Sequence, residues 1–316
     1  MSSPGLVQQT LNRLVKMRKR KKYYGVIAPL VTPVTETGQI HANSVEKLVD
    51  AVIQAGNFPF ILGTTGEIAS NSFINREHLA RLTAKHVNGR VTLYAGITDN
   101  CVDHTIETAK RYADLGINVF VVHLPYFFPL TKDLMLKYYL TIAEKSPVPI
   151  VIYNIMSITH MSIPVDVIET LSSHPNIVGL KDSERDYDRV EKLAALFKER
   201  EDFSLFIGWT NKSSQALLLG FDGIIPNTSN VTPALFQSLY ESAFKGDDQQ
   251  AMKYQDKAES LSKLVQNNKT MVRTIPELKA IMNHLGICTP YVLPPLVCLT
   301  QSENEELIRS FKTLEL

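Results

Sequence analysis

Three short motifs in this 316-residue chain combine an anion cradle, a phenol and an amine. Gly63-Thr64-Thr65-Gly66-Glu67 follows an apolar run. Its two glycines permit a tight turn, and the adjacent threonines present hydroxyls and N–H groups to a carboxylate or phosphate. The Gly-Lys-Ser/Thr ending of a nucleotide-binding loop is missing. Tyr153 closes a second apolar run, where its hydroxyl can serve as general acid or base. Lys181 closes a third, Asn176-Ile-Val-Gly-Leu180. An ordinary lysine, with a pKa of about 10.4, is a neutral amine in only about one molecule in 2,500 at pH 7. Burial strips water from the ammonium, and a drop of about 3 units (some 4 kcal/mol) makes a competent nucleophile. Attack on a ketone then gives an imine, whose protonated form draws electrons from the neighbouring carbon and allows a C–C bond to break or form. Each residue also has a plain structural use: the threonines as a helix cap, the tyrosine as a core ring, the lysine as a snorkelling side chain. A 2-oxo acid needs all three groups together, as carboxylate dock, proton shuttle and amine for its ketone.

Such groups meet only if the elements before them end at one place. From Tyr24 onward, apolar β-rich runs recur at residues 25–31, 59–62, 91–95, 117–122, 149–153, 177–180, 203–207 and 223–225. Several are continuously apolar, as in parallel strands buried on both faces. Amphipathic helical patterns lie between them. Val45, Leu48, Val49, Val52 and Ile53 repeat at i, i+3, i+4 before Gly56, and residues 103–115 end at Gly116. Strand-plus-helix units of this length, eight in succession, predict a (β/α)8 TIM barrel, whose active sites sit at the C-terminal ends of the strands. An open doubly wound sheet is the alternative. We divide the chain into a basic N-terminal extension (1–23), the barrel (24–240) and a C-terminal helical extension (241–316), with Pro294-Pro295 as a break.

Composition narrows the function class. Thirty-three Lys+Arg against 32 Asp+Glu leave a net charge of +1, too little to bind nucleic acid or an anionic membrane. No stretch reaches the ~18 uninterrupted apolar residues of a membrane span. The basic run Lys16–Lys22 has no apolar segment behind it and reads as a solvated extension packed on a partner subunit, not a targeting signal. Three cysteines (Cys101, Cys288, Cys298) without metal-ligand spacing fit a reduced, cytoplasmic chain. The eight histidines, among them His123, His160 and His174, show no paired metal spacing, so a metal-dependent aldolase ranks low.

The set Gly63-Thr-Thr-Gly-Glu67, Pro125-Tyr-Phe127, Tyr153-Asn154, Gly179-Leu-Lys181 and Gly208 resembles, in order and spacing, the pyruvate-dependent class I aldolases that include dihydrodipicolinate synthase and N-acetylneuraminate lyase. The resemblance implies a homotetramer (a dimer of dimers) without organic cofactor or metal. It makes Lys181 the imine-forming residue and Tyr153 the proton shuttle, with Thr64 and Thr65 holding the carboxylate. Gly208 and Ile225 would line the pyruvate pocket with backbone groups. The departures are informative. Dihydrodipicolinate synthases carry an arginine where this chain has Ile158, and sialic acid lyases place acids where it has Trp209-Thr210-Asn211. The family's relay tyrosine, supplied by a neighbouring subunit, aligns with Phe127. Without its hydroxyl, Tyr153 would pass protons through Thr65, water or substrate. The acceptor end is predicted to be lined by Ile158, Thr159, Ser183, Trp209, Thr210 and Asn211, with His160 nearby. That lining carries no positive charge, although Arg185 or Lys212 could reach in from loops. A neutral aldehyde released from a 2-keto-3-deoxy sugar acid suits it better than aspartate semialdehyde. Dihydrodipicolinate synthase, N-acetylneuraminate lyase and a catalytically silent pyruvate-binding relative are the alternatives.

Overall fold

The computed structural model describes residues 19–266 and 269–316. Eight parallel strands close on themselves in sequence order, with β8 returning to pair with β1. They are β1 (Gly25–Pro29), β2 (Phe58–Ile61), β3 (Tyr94–Gly96), β4 (Val119–His123), β5 (Ile150–Asn154), β6 (Ile177–Asp182), β7 (Ser204–Ile207) and β8 (Gly223–Ile224). One helix covers each strand: α1 (Ala42–Gln54), α2 (Phe73–Val87), α3 (Val102–Asp114), α4 (Lys132–Lys145), α5 (Val165–Leu171), α6 (Tyr187–Leu196), α7 (Ser213–Leu219) and α8 (Pro233–Phe244). The strands are buried almost throughout, as their continuous apolar runs require. Closure rules out the open sheet.

The apolar core has two parts. Ile27, Phe60, Tyr94, Val119, Val121, Val151 and Phe206 fill the barrel interior, while a larger set lies between strands and helices. In α1, Val45, Leu48, Val49 and Val52 are the buried stripe read from the sequence. Burying each such side chain contributes about 1.5–3 kcal/mol.

Three further helices form the C-terminal extension: α9 (Asp248–Gln266), α10 (Met271–His284) and α11 (Gln301–Lys312). A non-helical stretch holding Pro294-Pro295 separates the last two, where the sequence breaks the pattern. Thr300 starts α11 with a capping box, its hydroxyl accepting from the Glu303 N–H and the Glu303 carboxylate accepting from the Thr300 N–H.

Lys16–Arg18 lie outside the described residues; of the rest of the basic run, Lys19 and Lys22 are exposed to solvent, while Lys21 and Arg20 are paired. The Lys21 ammonium sits 2.9 Å from the Asp222 carboxylate and donates to the Phe203 carbonyl at 2.8 Å. Arg20 pairs with Glu241 at 2.5 Å and lies over the rings of Tyr24 and Phe244. These contacts fasten the chain entry to the ends of β7 and α8 within one molecule. Among the described residues no helix is long and apolar enough to cross a membrane.

Candidate active site

The C-terminal ends of the strands open into a cavity of about 570 Å³. Thr64, Thr65, Tyr153, Ile158, Lys181, Ser183, Gly208 and Ile225 all line it, although they are spread over some 160 residues of chain. Parallel pairing explains the meeting: the register sets Tyr153 beside Lys181, and Lys181 beside Phe206.

Lys181 is 4% exposed, with its ammonium 3.8 Å from the centre of the Tyr153 ring and 5.0 Å from that of Phe60. Burial pulls its pKa below the ordinary lysine value, and the Tyr153 oxygen works against that drop. Burial thus shifts the amine toward its neutral form, beside a phenol that can exchange protons with it. The Tyr153 hydroxyl lies 3.5 Å from the Thr64 hydroxyl, at the outer limit of a hydrogen bond. Thr64 and Thr65 cap no helix. The turn that carries them runs on to Ser72, and it is Ser72 that caps α2 by accepting from the Asn75 N–H at 3.2 Å.

Gly208 and Ile225 both line the cavity, as the resemblance implies. The Gly208 N–H is committed to the Asp182 carbonyl at 2.7 Å and that of Ile225 to the Ile207 carbonyl at 2.8 Å, which leaves carbonyl edges and shape. Gly208 has a steric reason to be glycine: an added Cβ would stand 2.0 Å from the Ser183 hydroxyl oxygen.

Successive strand residues alternate sides, so Asp182 points away from the cavity when Lys181 points in. It is fully buried, with the Arg189 Nε at 2.8 Å, the Asn154 amide at 3.0 Å and the Glu184 N–H at 3.0 Å. Burial raises its pKa against the pull of Arg189. Arg189 also donates to the Ile163 carbonyl, and Glu184 accepts from Asn154 and Ser162. This network ties the ends of β5 and β6 together behind the amine. Sequence reading missed it, although the alternation after Lys181 was available as a signal. His123 was weighed only as a metal ligand. It sits in the same layer, paired in register with Tyr153, and Nδ1 lies 2.7 Å from the Leu124 carbonyl. Burial, aided by the charge of Lys181, pushes its pKa down to about 4, so it is neutral near pH 7.

The acceptor end differs from expectation. Ile158 and Ser183 are there, but Thr159, Trp209, Thr210 and Asn211 do not line the cavity. Thr210 is buried against α9, its carbonyl accepting from the Gln255 amide at 3.0 Å, and Thr159 bonds the Ile155 and Met161 carbonyls. His160 is exposed beyond the short turn Met156–Thr159. Lys212 lies over the Tyr187 and Trp209 rings, outside the lining. Gln266, Lys269, Thr270, Met271 and Thr274, from the end of α9 and the start of α10, take the vacated places. The lining is also not free of cations, because it includes Arg185 and Lys269. Lys269 is neutralised by Glu277 at 2.9 Å, while Arg185 is an exposed residue on the rim. Phe127, 72% exposed, lies outside this cavity and lines a separate apolar hollow with Phe128, Leu130, Leu134 and Tyr138.

Residues 22–314 match the model of the dihydrodipicolinate synthetase family. A 4-hydroxy-tetrahydrodipicolinate synthase of Staphylococcus haemolyticus is 30% identical over 291 residues, covering 92% of this chain and 96% of that one. Among solved structures, a dihydrodipicolinate synthase of Bacteroides thetaiotaomicron superposes with a TM-score of 0.88 at 26% identity, covering 94% of this chain and all of that one. YagE, an E. coli prophage protein of the dihydrodipicolinic acid synthase family in complex with pyruvate, gives 0.88 at 25% identity and covers 93% and 99%.

Proposed function

The chain belongs to the dihydrodipicolinate synthetase family, and from that premise we propose that it is a metal-independent class I aldolase that joins pyruvate to an aldehyde or cleaves the product, through an imine on Lys181. The observation that carries the reading is Lys181 itself, a buried amine facing a cavity between a phenol and paired threonine hydroxyls. In the synthetic direction the neutral amine attacks the ketone carbon, and two proton transfers expel water to leave the protonated imine. Loss of a C3 proton gives an enamine, which attacks the aldehyde carbon. Water then releases the product and restores Lys181; cleavage runs the same steps in reverse. Tyr153 is the proton carrier within reach of both the amine and Thr64. Thr64 and Thr65 receive the carboxylate.

For the acceptor we propose the neutral hydroxyaldehyde half of a 2-keto-3-deoxy sugar acid. Ser157, Ser183, Asn227, Gln266, Thr270 and Thr274 supply hydroxyls and amides along the wall, and Ile158 offers no charge beside Tyr153. A carboxylate buried on that wall would find only Lys269, already paired with Glu277, and would lose several kcal/mol of hydration. Arg185 supports a second reading, in which a carboxylate such as that of aspartate semialdehyde reaches the rim. A screen of 2-keto-3-deoxy sugar acids, sialic acids and aspartate semialdehyde plus pyruvate, read as pyruvate release or uptake, separates them. Cleavage of a deoxy sugar acid is the expected result. Efficient use of aspartate semialdehyde, lost in Arg185→Ala, would establish the second reading. Pyruvate binding without any turnover would indicate a silent relative, for which Phe127 gives a reason. We further propose a cytoplasmic homotetramer; the exposed Phe127 and Phe128 supply apolar surface for contacts between copies.

A further inference from the structure

The threonine cradle is held in an unusual backbone shape. It lies between Leu62 and Glu67, both at φ 56°, in the left-handed region that non-glycine residues rarely adopt. Gly66 admits nothing larger, since a Cβ there would meet the Leu62 nitrogen at 2.9 Å and the Leu30 carbonyl at 3.1 Å. Thr32 and Asn71 bond the Gly66 carbonyl, and the Glu67 N–H returns to the Thr64 carbonyl at 3.1 Å.

The side chain of Glu67 ties this turn to a distant part of the chain. One carboxylate oxygen lies 2.5 Å from the Lys279 ammonium, with both side chains wholly buried. The other accepts from the Leu293 N–H at 2.8 Å. Lys279 also donates to the Tyr291 carbonyl at 2.7 Å. Lys279 belongs to α10, the helix whose first turn puts Met271 and Thr274 on the cavity wall, and residues 291 and 293 lie in the stretch between α10 and α11. Neither Glu67 nor Lys279 lines the cavity.

We infer that Glu67 and Lys279 are positioning residues: their buried ion pair holds the 63–67 turn, with Glu67 itself in the left-handed region, in the shape that aims Thr64 and Thr65 at the bound carboxylate, and makes the C-terminal extension a working part of the pyruvate site. This rests on the proposed pyruvate chemistry. A cradle formed only part of the time binds with an affinity reduced by that fraction, so loosening the clamp raises the pyruvate requirement and leaves the chemistry of Lys181 intact.

The test measures the pyruvate concentration that half-saturates the borohydride-trapped Lys181 adduct, alongside the denaturation midpoint. Glu67→Asp keeps the charge but is one methylene too short to meet Lys279 and Leu293 together. Half-saturation should rise about tenfold or more, with the adduct yield at saturation unchanged within about twofold. Lys279→Met should do the same or worse, and Glu67→Gln with Lys279→Met should recover part of the loss. A lowered midpoint with unmoved half-saturation would mean a merely structural pair and overturn the inference. If the native protein forms no adduct, it is the catalytic reading that fails. In that case, or if the variants do not fold, hydrogen exchange in the native protein decides. The amides of Glu67, Ile68 and Leu293 should open as one unit, and independent opening would refute the clamp.

Discussion

Arg189→Ala should be among the most damaging substitutions in this protein. Arg189 and Asp182 are 8% and 0% exposed along their side chains, with Nε 2.8 Å from the carboxylate. Removing the guanidinium leaves Asp182 with only the Asn154 amide and the Glu184 N–H, and it also frees the Ile163 carbonyl. Breaking one side of a buried ion pair costs about 3–5 kcal/mol. The loss should depend on pH in a definite direction. Burial already raises the Asp182 pKa in the folded state, and without Arg189 it rises further. The folded variant then holds a proton that the unfolded chain has released, so stability falls as pH rises from the unfolded value of about 3.9 through the raised one. The deficit relative to the native protein should be greatest at pH 8. It should be smaller at pH 5 by about 1.4 kcal/mol for each unit by which the variant's Asp182 pKa exceeds the native one between those two pH values. Urea unfolding of native and Arg189→Ala proteins at both pH values measures this, and Asp182→Asn with Arg189→Ala should lose the pH dependence. A deficit below about 1 kcal/mol at pH 8, or one equal at both pH values, would refute the reasoning.

Three further expectations concern the cavity. Imine formation needs the neutral amine, so its rate should rise with pH and level off below the ordinary lysine value, because burial lowers the Lys181 pKa; levelling only near 10.5 in stopped-flow measurements would contradict this. Tyr153→Phe keeps the ring against Lys181 but removes the proton carrier, and steady-state turnover should fall about 10²- to 10⁴-fold. Gly208→Ala should reduce pyruvate binding because its methyl meets the Ser183 hydroxyl oxygen at 2.0 Å. Adding Ser183→Ala should restore part of that binding by calorimetry, not all, since the Ser183 Cβ position is still only 3.1 Å away.

The barrel was legible because its strands are buried on both faces, which leaves uninterrupted apolar runs such as residues 150–153 with helical patterns between them. The candidate cluster at the cavity was legible for the same reason. A polar or reactive residue that ends such a run, as Tyr153 and Lys181 do, points into the mouth or lies beside a residue that does. What was hidden depends on tertiary placement. Thr210 has a side-chain type suited to a polyol, yet it is buried outside the cavity, its backbone carbonyl accepting from Gln255. Lys269, Thr270 and Thr274 reach the cavity from some 90 residues beyond Lys181, with no local pattern to say so. Lys21 sits in a run of like charges, but Asp222, about 200 residues away, turns it into a half-buried partner. Glu67 was read as the end of a turn motif; its link to Lys279 spans more than 200 residues and leaves no periodic signature.

Whether Lys181 is the nucleophile is decided by trapping the imine. The native protein is incubated with pyruvate and borohydride, and the digest is mapped by mass spectrometry. One stable adduct is expected, on Lys181, that requires no added divalent metal and disappears in Lys181→Ala. An adduct on another lysine, or none at saturating pyruvate while turnover persists, would contradict it.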